Sequence, residues 1–221
     1  AGNWDSTQTV PVTGVDNSVD GSNAGSTITL AVNDGSSDAN YDALSDQTVA
    51  AALTDNDTAG FTVTESSGST SVTEAGSTDT FTVVLNTQPS GNVVISVSSG
   101  DTGEATVSAS SLTFTTGNWD VAQVVTVTGV DDNVVDGNTT DATSPTITFE
   151  VDAGSAPEYV ALDPKGTVTV TVNDDNAFGY TLATEDGDAL SDGKVTVLEG
   201  NDATFTVKLD TKPTGDVVLT F

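Results

Sequence analysis

The 221-residue sequence predicts an all-β fold made of tandem two-sheet sandwiches, and three observations support this. Apolar residues alternate with Thr, Ser or Asn along short segments, which is the pattern of half-buried strands. Clusters of Gly, Asp, Asn and Ser separate these segments, as turns do. Long strings of residues recur in the same order along the chain, which indicates repeated structural units.

The strand prediction depends on a period of two in segments rich in β-branched residues. About seven such strands in about 115 residues fit an antiparallel sandwich, and no long segment shows a helical stripe. Pro11 lies within one of these runs and indicates an edge strand or a bulge. The clearest runs are Val10/Val12, Ile28/Leu30/Val32, Phe81/Val83/Leu85, Val93/Ile95/Val97, Ile147/Phe149/Val151 and Val168/Val170/Val172.

The repeats define three units. The string GNWDSTQTVPVTGVDNSVDG from Gly2 returns as GNWDVAQVVTVTGVDDNVVDG from Gly117, and SVTEAGSTDTFTVVLNTQPSGNVVISV (71–97) returns as TVLEGNDATFTVKLDTKPTGDVVLTF (196–221). Between these strings, TITLAV (27–32) matches TITFEV (146–151), and LTDNDTAG (53–60) matches VNDDNAFG (172–179). We therefore expect the C-terminal part of one repeat at 1–57, a complete sandwich repeat at 58–175, and the N-terminal part of the next repeat at 176–221.

The two partial repeats nearly add up to a whole one. Joining 176–221 to 1–57 leaves out only the equivalent of residues 98–115. Two interpretations follow: the chain is a stretch of a longer array, or it is a subunit whose open ends complement each other head to tail. Its expected partners are therefore neighbouring repeats or identical subunits end to end.

The charge and composition of the chain limit the classes of function that it can have. The chain has 33 Asp and Glu, only four Lys and Arg, and no Cys or His, for a formal charge of −29. This charge argues against binding nucleic acid, because phosphate contacts need basic residues. No apolar run approaches the ~20 residues of a membrane span. Without His or Cys, a Ser-His-Asp triad, a Cys nucleophile and an ordinary zinc site are all excluded, so we expect no enzyme.

The acids instead favour a bound cation. The complete unit has acidic clusters near residue 74, at 131–136 and at 174–175, and alternate loops of a sandwich return to the same end. Carboxylate and carbonyl oxygens are the ligands of Ca²⁺. Asp is also common in solvated turns, so that interpretation stays open. The adjacent pairs Asp131–Asp132 and Asp174–Asp175 argue most for a metal, because neighbouring acids repel.

The string from GDTGEATVSASSLTFTTGNWDVAQVVTVTGVDDNVVDG (100–137) through TITFEV to TVTVTVNDD (167–175) resembles the Calx-β domain. That module occurs in sodium/calcium exchangers, integrin β4 and many bacterial surface proteins. The resemblance implies an immunoglobulin-like Greek-key sandwich that binds Ca²⁺ in loops at one end. Such repeats are similar to those of giant adhesins and other surface filaments.

The resemblance also implies a ligand set. In the complete unit the candidate ligands are Glu74, Asp131, Asp132, Asp136, Asp174 and Asp175, with Asp101 or Glu104 as an addition. In the first partial unit they are Asp16, Asp20, Asp55 and Asp57, and in the last unit Glu199. Asn17 and Asn56 depart from the family pattern and indicate lost ligands or weak sites.

The expected function is an extracellular structural repeat segment, a calcium-rigidified stalk or filament of a bacterial-type surface adhesin or appendage at the cell surface. The alternative is a carbohydrate- or protein-binding module of a secreted protein, which would present loop aromatics such as Tyr41 or Tyr159 to a surface glycan or protein. Trp4 and Trp119, at the same repeat position, are expected to pack in the core, with sugar stacking as the alternative.

Overall fold

The computed structural model describes residues 3–21, 23–33, 35–135, 144–162, 166–185, 190 and 193–220. Strands dominate these residues, and the predicted all-β fold class is confirmed. The strands are β1 Gly25–Leu30, β2 Gln47–Ala52, β3 Phe61–Glu65, β4 Thr70–Thr73, β5 Thr78–Leu85, β6 Val93–Ser99, β7 Ala105–Val107, β8 Ser111–Phe114, β9 Gln123–Gly129, β10 Thr146–Val151, β11 Thr167–Asn173, β12 Tyr180–Thr184 and β13 Phe205–Leu209. A 3-10 turn at Ser66–Gly68 and one short helix, α1 Pro157–Val160, accompany them.

Strands β3 to β11 form a sandwich of two sheets. One sheet has the order β4-β11-β10-β6-β8 and the other β3-β5-β9-β7, so the chain switches sheet at almost every connection. Every strand pair is antiparallel except β4 and β11, which run parallel with Asn173 beside Thr73. This pair is a difference from the antiparallel sandwich that we predicted. It arises because the last strand of the unit closes against one of its first strands.

The core lies between the two sheets. Alternation along the strands points one apolar set inwards, including Phe81, Phe114 and Phe149. The rings of Phe81 and Phe149 meet edge to face at 5.6 Å, a favoured aromatic geometry. Tyr159 of α1 is also fully buried, and its hydroxyl donates a 2.5 Å hydrogen bond to the main-chain carbonyl of Thr87. The sandwich strands lie within the 58–175 unit, while the unit boundaries themselves stay a prediction.

The two partial units keep the strand register of the complete one. In the first, β1 pairs with β2 so that Ile28 faces Val49, as the equivalent Ile147 of β10 faces Val168 of β11. In the last, β12 pairs with β13 with Tyr180 opposite Leu209, as Phe61 is opposite Leu85 in β3 and β5. The sequence repeats therefore correspond to a structural repeat, down to individual residue pairs.

The strand predicted at Val10/Val12 is wrong for this structure. Residues 7–17 contain no strand, and both valines are exposed. Their equivalent in the complete unit is β9, which is held between β5 and β7. The described part of the first unit contains neither neighbour, so the segment has no partner. For the same reason Trp4 is exposed, although Trp119 packs against the core as expected.

Among the described residues, no helix has the length and apolar character needed to cross a membrane.

Candidate metal centre

Three carboxylates meet at one end of the sandwich. Glu74 directly follows β4, and Asp174 and Asp175 directly follow β11. Because β4 and β11 are parallel neighbours, their carboxyl ends lie at the same edge of the sheet. One carboxylate oxygen from each of the three acids lies within 4.8 Å of the others. The parallel pair therefore positions a cluster whose members are far apart in sequence.

The cluster is partly shielded from water. Glu74 is only 1% exposed, Asp174 is half-buried and Asp175 is exposed. A carboxylate buried to this degree is costly unless hydrogen bonds or a cation stabilise it. The main-chain amide of Glu74 is held by the carbonyl of Asn173 at 3.1 Å, which fixes the turn that carries the side chain.

Asn176 connects this cluster to a third loop. Its side-chain amide donates to Glu74 Oε2 at 3.4 Å and to the main-chain carbonyl of Asp132 at 3.1 Å. Its main-chain amide donates to Asp174 Oδ1 at 2.7 Å. Sequence reasoning missed this residue. The available signal was its repeat position, which Asp57 occupies in the preceding unit.

The other candidate ligands of the complete unit lie around this cluster. Asp132 uses Oδ1 to accept the amide of Val134 at 2.6 Å, while Asp131 is exposed, and neither joins the three-carboxylate group. Glu104 is half-buried, and its main-chain carbonyl accepts the amide of Val130 at 2.9 Å. The remaining candidates are Asp101, which caps its own turn at Gly103; Glu199, which is exposed; and Asp136, which lies outside the described residues.

The first partial unit carries a second acidic cluster where it meets the sandwich. Asp55 Oδ2 accepts the amide of Gly21 at 2.8 Å, and Asp20 Oδ2 accepts the amide of Ala59 at 2.7 Å. Asp57 Oδ2 is shielded from solvent and makes no hydrogen bond within the described part of the chain. Burial raises the pKa of Asp57, and the negative charges of Asp55, Asp16 and Asp20 raise it further.

Two exchanges of Asp and Asn relate the two clusters. Asn17 stands where the complete unit has Asp132, and its Oδ1 accepts the amide of Val19 at 2.7 Å, as Asp132 Oδ1 accepts that of Val134. The turn therefore survives the replacement that the sequence had indicated as a lost ligand. Conversely, Asp57 stands where the complete unit has Asn176, so a carboxylate replaces an amide donor.

Of the described acids, only Glu74, Asp174 and Asp175 bring three carboxylate oxygens within 4.8 Å of one another, so Asp16, Asp20, Asp55 and Asp57 do not form such a group. The donors of both clusters are carboxylate and carbonyl oxygens, which Ca²⁺ prefers and which soft metals do not. Glu74, Asp174 and Asp175 would hold an ion in the complete unit. At the first cluster, Asp57 Oδ2 accepts no hydrogen bond within the described part of the chain. The charges of Asp55, Asp16 and Asp20 act on it, and a cation would stabilise a carboxylate in such surroundings.

No family model matches the sequence, and no curated protein matches it. Among solved structures, an apo-form Calx CBD1 domain is similar over 53% of this chain and 99% of its own, with 18% identity and a TM-score of 0.37. Domains 4 and 5 of the S-layer protein SbsC are similar over 68% of this chain and 58% of their own chain, with 22% identity and a TM-score of 0.37. SSP-19, an MSP-domain protein like family member of Caenorhabditis elegans, covers 52% of this chain and 99% of its own, at 17% identity and a TM-score of 0.32. Likeness at this level carries no statement about function.

Proposed function

We propose that the chain is a structural repeat segment of an extracellular stalk or filament, as in bacterial-type surface adhesins or appendages. Calcium bound at the junctions between sandwich units stiffens the segment. No catalytic role is part of this proposal. The observation that supports it most is a hydrogen bond that recurs at two successive junctions.

At the first junction, the main-chain amide of Gln88 donates to the main-chain carbonyl of Ser18 at 2.6 Å. At the second, the amide of Lys212 donates to the carbonyl of Asn133 at 2.7 Å. Ser18 and Asn133 occupy the same repeat position, and so do the two donors, each of which precedes a Pro. Successive units thus meet through the same contact, which favours a regular array whose units touch only their neighbours.

The acidic clusters lie beside these contacts. Asp16 and Asn17 directly precede Ser18. At the second junction, Asn176 donates to Glu74 Oε2 and to the carbonyl of Asp132, which directly precedes Asn133. An ion held there would neutralise the repulsion and fix the loops that carry the contact. A site of about 0.1 mM affinity at about 1 mM Ca²⁺ adds about 1.4 kcal/mol per ion, so several sites would be a large part of a domain's stability.

The alternative function is a glycan-binding module, for which Tyr41 and Tyr159 were the candidate contact residues. Tyr159 was expected to present its ring on a loop, but it is fully buried, and its hydroxyl is bonded to Thr87. Tyr41 is exposed, but a single exposed ring is common on protein surfaces. We therefore keep the structural role as the conclusion.

Thermal unfolding with Ca²⁺, with Mg²⁺ and with a chelator tests the proposal. We expect Ca²⁺ alone to raise the unfolding temperature, and small-angle scattering to show a longer, stiffer particle in Ca²⁺ than in chelator. The triple variant Glu74→Gln, Asp174→Asn, Asp175→Asn should lose much of both effects. The charge-matched control Asp42→Asn, Asp46→Asn, Asp120→Asn changes three exposed acids and should keep them. Identical unfolding curves in Ca²⁺ and chelator would reject the calcium site, and identical scattering would reject the stiffening role.

A further inference from the structure

The turn between β5 and β6, residues 86–92 (the β5–β6 turn), is fixed to the complete unit by a buried tyrosine. The Tyr159 hydroxyl lies 2.5 Å from the carbonyl oxygen of Thr87 and 2.7 Å from its Oγ1. Thr87 is 3% exposed, and Pro89 is buried as well. This part of the turn therefore cannot move without breaking buried hydrogen bonds, which is costly.

Glu158, the neighbour of Tyr159 in α1, holds the other side of the same turn. Its Oε1 accepts the amide of Ser90 at 2.6 Å, and its Oε2 accepts the Ser90 hydroxyl at 3.0 Å. Hydrogen bonds to an ionised acceptor are stronger than those between neutral groups. Just before α1, the amide of Ala156 donates to the carbonyl of Asn92 at 2.9 Å. The helix and the turn are thus joined at several points, and α1 determines where the turn lies.

Gln88 of this turn contacts the preceding unit. Its main-chain amide donates to the carbonyl of Ser18 at 2.6 Å. A second bond joins the same loop to the chain just before β3, where Asp20 Oδ2 accepts the amide of Ala59 at 2.7 Å. Two hydrogen bonds to different parts of the complete unit therefore fix the loop 18–20 against it.

The loop that meets this turn is itself held in shape. Asn17 Oδ1 accepts the amide of Val19 at 2.7 Å, and Asp55 Oδ2 accepts the amide of Gly21 at 2.8 Å. Groups that are already held in place lose little conformational freedom when they bind each other, so the contact between them is favourable. The contact therefore relates the orientation of one unit to that of the next.

The turn is built in the same way at the second junction. The amide of Asp210 donates to the carbonyl of Gly179 at 3.0 Å, as that of the equivalent Asn86 donates to the carbonyl of Gly60 at 2.8 Å. The contact of Lys212 with the preceding unit thus starts from a turn that is anchored like that of the complete unit. Its geometry is a property of the repeat.

We infer that the β5–β6 turn is the surface on which the preceding unit docks, and that Glu158 and Tyr159 are positioning residues for this contact. Their hydrogen bonds hold the turn, and the turn holds the loop 18–20 of the preceding unit. The inference rests on the proposed stalk function, to which it adds the residues that set the angle between neighbouring units. The bonds that carry it join protein groups, so it is measured without calcium.

Distances between two spin labels, one on each side of the first junction, test the inference in chelator. The chain has no Cys, so labels attach only at Ser26→Cys in β1 and Ser111→Cys in β8, both at exposed positions. We expect a narrow distance distribution that Glu158→Ala broadens, because the turn is released. Glu158→Gln should restore the narrow distribution, since its amide oxygen still accepts the Ser90 amide. Asp120→Ala removes an exposed acid of the same unit and should change nothing.

Gln88→Pro tests the contact itself, because proline has no amide hydrogen to donate. Residue 88 already precedes a proline, so its backbone is restricted to extended conformations that proline also adopts. Gln88→Ala is the control: both variants lose the side-chain bond to the carbonyl of Thr116, but only the proline loses the bond to Ser18. We expect Gln88→Pro to broaden the distribution and Gln88→Ala to keep it narrow.

A second label pair within the complete unit, Thr64→Cys and Ser111→Cys on its two sheets, shows that each variant is folded. Its distance should be the same in every variant, so that a change across the junction reports orientation and not unfolding. A broad distribution across the junction in the unaltered chain overturns the inference, and so does a distribution that Glu158→Ala or Gln88→Pro leaves unchanged. A missing effect of Ca²⁺ on unfolding and scattering would reject the calcium role alone, because these distances are measured in chelator.

Discussion

Gly129 lies against Thr73 so closely that a Cβ atom at Gly129 would stand 2.1 Å from the carbonyl oxygen of Thr73. This contact brings the end of β9 against the end of β4. Glu74 follows Thr73 directly, and Asp131 follows Gly129 by two residues. The close approach of two backbones thus places the acidic loops of the candidate metal centre side by side.

Gly129→Ala is therefore expected to destabilise the sandwich by about 1–3 kcal/mol, because a methyl group there forces the two strands apart. The separation should also weaken any gain in stability from Ca²⁺. Urea unfolding with and without Ca²⁺ measures both effects. Gly154→Ala is the control, since a Cβ atom at Gly154 meets nothing within 4 Å. Equal stabilities of the two variants would contradict the steric explanation.

Asp57→Asn is expected to raise the unfolding temperature in chelator. The substitution removes a carboxylate that Asp55, Asp16 and Asp20 repel, and it restores the amide found at the equivalent Asn176. In Ca²⁺ the variant should gain less than the unaltered chain, because a ligand has been lost. Differential scanning calorimetry in both conditions tests this. Asp120→Asn, at an exposed loop position, should change neither value; a lower unfolding temperature for Asp57→Asn in chelator would be the opposite of our expectation.

Tyr159→Phe is expected to cost about 1–3 kcal/mol in unfolding free energy, because it leaves buried polar groups of Thr87 without their partner. The Tyr159 hydroxyl lies 2.5 Å from the Thr87 carbonyl and 2.7 Å from Thr87 Oγ1, and Thr87 is 3% exposed. The matched control is Tyr41→Phe, at the equivalent but exposed position, which should change stability little. Chemical denaturation measures both, and a neutral effect of Tyr159→Phe would show that the hydrogen bonds add no net stability.

Asp79 should make stability depend on acid pH. Hydrogen bonds from the Ser66 hydroxyl and from the amides of Ser71 and Thr80 hold the pKa of Asp79 below its usual 3.8. A folded pKa below the unfolded one means that the contribution is complete above 3.8 and is lost as pH falls through the folded value.

The stability difference between the unaltered chain and Asp79→Asn should accordingly shrink once the pH falls below 3.8. Urea unfolding in chelator, from neutral pH downwards, follows this difference. Asp120→Asn, which removes the charge of an exposed acid, serves as the reference. A difference for Asp79→Asn that stays constant across the range would show that these hydrogen bonds do not favour the ionised form.

The strands were largely predictable, because a local pattern determines which side chains face inwards. Val93/Ile95/Val97 and Ile147/Phe149/Val151 lie in β6 and β10 with these side chains buried, as predicted. The equally regular segment with Val10 and Val12 forms no strand. Periodicity shows which side chains would face inwards, but it does not provide the neighbouring strand that a β-strand must pair with. The parallel pairing of β4 with β11 was not predictable either, because it joins segments that are distant in the chain.

The long-range pairing of β4 with β11 also explains why the sequence could name candidate acids but could not tell which of them form a group. Glu74, Asp174 and Asp175 stood among many candidate acids, and only the neighbouring ends of β4 and β11 select them as a group. Asp132 looked equivalent to them in sequence, but its carboxylate caps its own turn. The role of any of these acids as a calcium ligand stays a prediction.

The parallel pair also determines how a unit responds to tension. The chain enters the pair at Thr70 and leaves it at Asn173, which lie at opposite ends of the two strands. Pulling Thr70 and Asn173 apart along the strand direction therefore slides β4 along β11 and strains all of their hydrogen bonds at once. Bonds sheared together share the force, whereas bonds opened from one end break singly. The complete unit thus has a strand pair that is loaded in shear when its ends are pulled apart, next to the acids that follow those two strands.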